Sequence, residues 1–212
     1  MSLGKVIIFG DSYSTYRGHI PEGYDVYYSG NRKEQPDVSD VSLTWWHSLI
    51  SETGSELVQN NSWSGSTIGF TGYNGSDNSK SSSFIYRLEK LLDEGFFEKN
   101  PVDTVFVFGG TNDNWAHAPL GELKFDGIER EELYSVLPAI GYFSKLLNDK
   151  LPKARKIFII NTLLKPEISE AFLALNKRFG FDVVALDSID KLNGHPTEKG
   201  MKEIKNQILA AL

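Results

Sequence analysis

Short apolar runs alternate with helix-length amphipathic segments along this chain, and that alternation leaves few folds open to it. Five runs read as strands: Lys5 to Phe9, Leu57-Val58, Thr104 to Phe108, Lys156 to Asn161, and Val183 to Leu186. The longer ones carry the apolar runs Val6–Phe9, Val105–Phe108 and Ile157–Ile160, closed by Gly or Asn, the mark of strands buried on both faces. Helical periodicity predicts helices over Leu43 to Glu52, Phe84 to Glu94, Glu129 to Leu151 and Glu167 to Phe179, with a terminal helix opened by Pro196. Ser42 and Gly54 are the expected bounds of the first helix, and Pro138 and Gly141 are expected to bend or break the third. The alternation implies a parallel sheet with right-handed crossovers and helices on both faces. The expected fold is therefore α/β, a single doubly wound three-layer domain over residues 1–212 with about five strands. Strand order does not follow from periodicity.

The 212 residues carry a formal net charge of −6 with no dense run of Lys or Arg, which argues against a nucleic-acid or anionic-membrane partner. There is no cysteine, which excludes disulfides, thiolate catalysis and cysteine-ligated zinc but does not choose a compartment. The first strand begins by about residue 5, so a signal peptide or membrane anchor is not expected and cytoplasm is the default. Residues 13–43, rich in Tyr, Gly, Pro, Asp and Ser, and 62–83, rich in Ser, Gly and Asn, read as long loops, and loops of such length tend to be functional or disordered.

Several strands run directly into polar turns: Ser12 after the first, Gly65 after the second, Asn112 after the third, His195 after the last. On one parallel sheet these turns share the carboxyl edge, where ligands of open α/β sheets bind. The residue types suit nucleophilic acyl transfer. Ser12 attacks, His195 takes its proton, and the backbone N–H groups of Ser12 and Gly65 with the Asn112 amide receive the oxyanion. The plainer alternative at the first turn is that Asp11 or Ser12 only caps the following helix.

Gly10-Asp11-Ser12-Tyr13-Ser14, Asn61 to Gly65, Gly110-Thr111-Asn112-Asp113 and His195-Pro196 together resemble the four sequence blocks of the SGNH (GDSL-like) hydrolases, in the family's order. The resemblance implies a flavodoxin-like sheet and an esterase or lipase-type hydrolase working through an acyl-enzyme, with no metal or cofactor. It maps Ser12 to nucleophile, Gly65 and Asn112 to oxyanion donors and His195 to base. The family usually has an aspartate three positions before the histidine, where this chain has Leu192. Asp190 is the favoured substitute, with Asp187 or a backbone carbonyl as the other ways to orient the imidazole.

Asp11, Trp115 and His117 are candidates for substrate binding, with a purely structural loop role weighed equally for the last two. The expected substrate is a small-molecule or carbohydrate ester, with a short acyl or acetyl group, and the aromatic loops (Tyr24, Tyr27, Tyr28, Trp63, Phe70, Tyr73) suit either a stacking wall or packing. A catalytically impaired homologue that binds carbohydrate or acts as a scaffold is the alternative. A phosphate- or nucleotide-binding module lacks the expected glycine patterns.

Overall fold

The computed structural model describes residues 2–30 and 37–212, so part of the long loop expected over 13–43 lies outside the described residues. In chain order the elements are β1 (Lys5–Gly10), α1 (Trp45–Thr53), β2 (Glu56–Ser62), α2 (Phe84–Asp93), α3 (Phe96–Lys99), β3 (Thr104–Phe108), α4 (Thr111–Trp115), α5 (Val136–Lys150), β4 (Arg155–Ile160), α6 (Pro166–Phe179), β5 (Asp182–Ala185), β6 (Lys191–Leu192), β7 (His195–Pro196) and α7 (Glu198–Ala211). β1 to β5 form one parallel sheet in the order β2-β1-β3-β4-β5, and β6 and β7 form a small antiparallel ribbon. This is the flavodoxin-like three-layer architecture.

The central strands β1, β3 and β4 bury both faces, so two cores form. Ile7, Phe9, Val105, Val107 and Phe158 pack with Leu88 of α2, Phe143 of α5 and Phe172 of α6. The alternate residues Val6, Ile8, Phe106, Phe108 and Ile157 pack with Trp45 and Trp46 of α1 and Met201 and Ile204 of α7. The period of two along each strand sends successive side chains to opposite layers. The chain steps from β1 to β2 on one side and then returns to place β3 on the other. Loops leaving β1 and β3 diverge at that reversal and open a crevice at the carboxyl edge.

Several expected bounds shift for local reasons. β2 extends through Gln59, Asn60 and Asn61, because past a register shift at Val58 its backbone keeps pairing with β1 although these side chains are polar. α1 starts at Trp45, and its N-cap is Thr44, whose hydroxyl accepts from the His47 N–H, rather than Ser42. Gly54 does end that helix, in the left-handed region at φ 62°. The long helix expected from Glu129 is a short 3-10 turn over Arg130–Tyr134 followed by α5. Pro138 falls in the first turn of α5, where its missing N–H costs nothing, and so causes no break. Gly141 continues the helix, and an added Cβ there would lie 1.8 Å from the Lys124 carbonyl, so it is a point of close packing and not a hinge. Pro196 belongs to β7, and Thr197 caps α7. No helix among the described residues is long and apolar enough to cross a membrane.

Candidate active site

The turn after β1 is built to hold Ser12 in place. The Asp11 carboxylate accepts the Tyr13 N–H at 3.0 Å and caps the 3-10 turn Ser12–Ser14. A Cβ on Gly10 would lie 2.5 Å from Ser62 Oγ and 2.6 Å from Ser14 Cβ, so glycine lets β1, β2 and the turn converge. Ser12 opens its turn, which leaves its N–H without an intrahelical acceptor.

His195 reaches this serine from the far end of the chain, with Nε2 2.9 Å from Ser12 Oγ. Its Nδ1 lies 3.2 Å from the Asn193 carbonyl. A carbonyl can only accept, so Nδ1 carries the proton and Nε2 keeps its lone pair toward the serine. Two tyrosines from the Ser12 side bracket the histidine: Tyr13 donates to the Gly194 carbonyl at 2.5 Å and Tyr28 to the Pro196 carbonyl at 2.8 Å. The Tyr27 ring stacks on the imidazole at 3.6 Å between centroids and 9° between planes. Burial, with Lys191 nearby, pulls the His195 pKa below its usual value, while the Asn193 carbonyl opposes that shift.

The Asn112 amide is held at both ends. Its Nδ2 donates to the Ser66 carbonyl at 2.9 Å, and its Oδ1 accepts from the Tyr73 hydroxyl at 2.7 Å. One N–H remains to face a ligand. Gly65 lies in the neighbouring loop at φ 80°, and an added Cβ would meet nothing within 4 Å. Its left-handed backbone, rather than close approach, is what asks for glycine. The Gly65 N–H makes no hydrogen bond among the described residues.

Beneath these groups lies Arg87, fully buried. Its guanidinium donates to the Asn61 carbonyl, to Gly10 O at 3.2 Å and to Ser66 Oγ at 3.1 Å, lacing the first two loops together. Asp113 receives the Ile68 N–H at 3.0 Å and the Gly69 N–H at 3.2 Å, tying the third loop to the second. Sequence reasoning missed Arg87, although its spacing from Phe84 and Leu91 places it on the apolar stripe of α2. A cation on that stripe is the signal that would have found it.

Of the other expected site residues, the structure separates Asp190 from the histidine. Its carboxylate accepts from the Thr197 hydroxyl, its N–H donates to Glu203 at 2.7 Å, and a Cβ on Gly200 would come 2.1 Å from its carbonyl. Asp190 is thus held by Thr197 and Glu203, and the backbone carbonyl of Asn193 stands in the orienting position. The Asp187 N–H donates to Gln207. Asp11 has no exposed surface, and its carboxylate accepts the Tyr13 N–H inside the turn. Trp115 is 38% exposed with its ring 6.0 Å from the imidazole. His117 is exposed at φ 53°, and its side chain makes no hydrogen bond to Ser12 or His195 among the described residues. No group of three or more His, Asp or Glu side chains converges as a metal requires, again among the described residues.

A doubly wound sheet with a serine and a histidine paired at its carboxyl edge defines a class, the α/β serine ester hydrolases. The profile of the GDSL-like lipase/acylhydrolase family matches residues 4–212, and the chain belongs to that family. It is 40% identical to a protein of Bacteroides ovatus described provisionally as a GDSL-like lipase, with TM-score 0.90 over 99% of this chain and 98% of the other. A Bacteroides uniformis protein described in the same way is 39% identical, with TM-score 0.89 over 99% and 95%. A family two carbohydrate esterase of Cellvibrio japonicus shares the fold at 15% identity and TM-score 0.62, over 100% of this chain and 62% of its own. No curated protein matches the chain.

Proposed function

We propose that the protein hydrolyses short-acyl esters, acetyl esters foremost, of a carbohydrate-like alcohol, through an acyl-enzyme on Ser12. The observation that carries this reading is the 2.9 Å contact between Ser12 Oγ and His195 Nε2. As Oγ bonds to the ester carbon, its proton passes to Nε2 and the carbonyl π electrons move onto oxygen. That oxygen is received by the N–H groups of Ser12 and Gly65 and the free amide hydrogen of Asn112. Collapse expels the alcohol, which takes the proton from Nε2. Water then repeats the sequence, releasing the carboxylic acid and restoring Ser12. In this reading the base works as half of a dyad, oriented by the Asn193 carbonyl.

Trp115 beside the base and Tyr73 beside Asn112 are 38% and 40% exposed, and flat rings of this kind receive the C–H faces of a sugar. The Tyr24 and Trp63 rings lie 4.2 Å apart at a 30° tilt next to the Gly65 loop. The test is fluorophosphonate labelling, located by peptide mapping, together with a panel of acetylated sugars and nitrophenyl esters of increasing chain length. Labelling at Ser12 that Ser12→Ala abolishes, with the highest kcat/KM on acetyl esters, is expected. Absence of labelling overturns the nucleophile, and a preference for long acyl chains overturns the substrate.

A further inference from the structure

The reading of His195 as base leaves one question of energetics. The imidazole must gain a positive charge in the transition state, yet among the described residues no carboxylate lies against it. The groups facing it are Ser12, the Asn193 carbonyl, the rings of Tyr13, Tyr27 and Trp115, and Lys191, whose cation opposes the charge. Lys191 is held off by its bonds to Asn161 Oδ1 at 3.2 Å and Thr162 Oγ1 at 2.7 Å.

The three rings do not approach alike. Tyr13 is tilted by 52° at 5.5 Å and Trp115 by 67° at 6.0 Å, whereas Tyr27 lies face to face at 3.6 Å and 9°. An aromatic face is the negative part of the ring quadrupole and attracts a cation set over it, more strongly where water is excluded. Neutral imidazole gains less from that contact than imidazolium does. The stack therefore strengthens as the proton arrives, which is the condition for lowering a barrier rather than merely holding a ground state.

The ring is also set by the nucleophile's own turn. Thr15 Oγ1 donates to the Ser12 carbonyl at 3.1 Å and accepts the Tyr27 N–H at 2.9 Å, so two bonds join the serine to the residue under the imidazole. The neighbouring Tyr28 meets Tyr27 edge-on at 4.9 Å and is fixed to the Pro196 carbonyl.

We propose that Tyr27 is a positioning residue whose ring face stabilises the imidazolium of His195 during ester hydrolysis, supplying from a π system part of what an aspartate supplies in a triad. The proposal rests on the esterase reading above, and its test separates the two. The full-length protein is made with Phe, 4-fluoro-, 3,5-difluoro- and 3,4,5-trifluorophenylalanine at position 27. Fluorine withdraws density from the ring face with little change in shape, so packing alone would not register the series. For each protein kcat and KM are measured on nitrophenyl acetate, and the His195 pKa is followed by NMR titration of the imidazole.

The expected result is a stepwise fall in kcat from Phe to trifluorophenylalanine, by about 2- to 30-fold in all, with KM little changed. The His195 pKa should fall in the same order. A series flat in both readouts, with the enzyme active, overturns the proposal and leaves Tyr27 as packing. A fall in kcat without the pKa trend overturns it as well. A native protein that hydrolyses no ester and does not label at Ser12 overturns the esterase reading instead, and the role of Tyr27 in hydrolysis falls with it.

Discussion

His195 Nδ1 faces the Asn193 carbonyl at 3.2 Å, the place a carboxylate takes in a triad. The carbonyl selects the same tautomer that a carboxylate would, since either one only accepts. It differs in carrying a dipole instead of a full charge. Orientation is thus retained while much of the electrostatic support for the imidazolium is not. Asn193 adopts φ 50° and Gly194 φ 79°, and this tight left-handed pair turns β6 back into β7 with the carbonyl directed at the ring.

If the carbonyl orients the base, Asp190→Asn should leave kcat/KM within about threefold of native, because the carboxylate serves Thr197 and not His195. Removing the aspartate of a true triad costs about 10⁴ in kcat. Steady-state kinetics on one nitrophenyl ester separates these outcomes, and a loss beyond about 100-fold would return Asp190 to the site.

The pH profile should carry the same signature. His195 must be neutral to accept a proton, and burial and Lys191 hold its pKa below 6.5. The acid limb of kcat/KM is therefore expected below the ordinary histidine value of 6.5. Lys191→Met removes the nearby cation and should move the limb up. A native limb above 6.5, or a variant limb that moves down, would contradict this arrangement.

Asn112→Ala should lower kcat by about 10²- to 10³-fold with little change in KM, as loss of an oxyanion donor does. Tyr73→Phe removes only the bond that fixes the Asn112 amide, so about a 3- to 10-fold loss in kcat is expected, a fraction of one oxyanion donor. If Tyr73→Phe raises KM and spares kcat, the hydroxyl binds substrate rather than holding Asn112.

What could be read from the chain, and what could not, has a physical basis. β3 is found at its expected bounds because the unbroken apolar run Val105–Phe108 follows Thr104 and is closed by Gly109. Ser12, Gly65, Asn112 and His195 were legible as positions because each ends a strand or its following loop, and a parallel sheet brings such ends to one edge. The partner of Nδ1 was not legible. It depends on tertiary contacts of Asp190 with Thr197, Gly200 and Glu203, which have no pattern in the sequence around the histidine. The 3-10 turn before α5 hid inside a helical pattern because Glu129 and Glu132 form a capping box, which helix composition alone does not separate from a helix interior. Tyr27 and Tyr73 stood out only as aromatic loop residues, since stacking on an imidazole and bonding to an amide have no period in sequence.

Stability should also depend on pH through two carboxyls under the site. Asp11 and Asp113 are buried, and desolvation pushes their pKa values up from 3.8 to about 7 and about 6. For Asp11, the Tyr13 N–H and Arg87 oppose the shift and Asp113 adds to it; for Asp113, the Ile68 and Gly69 N–H groups oppose it. Unfolded, both would titrate near 3.8, so between about pH 4 and pH 7 the folded chain holds more protons than the unfolded one. Their contribution is fully present below 3.8 and is lost as pH rises through the folded values, so this pair makes stability fall across that window. Melting curves from pH 5 to 7.5 should accordingly show Tm declining toward neutrality. Asp11→Asn keeps the Oδ1 that accepts the Tyr13 N–H and removes one titration, so its Tm should vary less over the upper half of the range. A native Tm that is flat or rising from pH 5 to 7.5, or a variant with the native slope, would show that these carboxyls ionise in the fold as freely as in the unfolded chain.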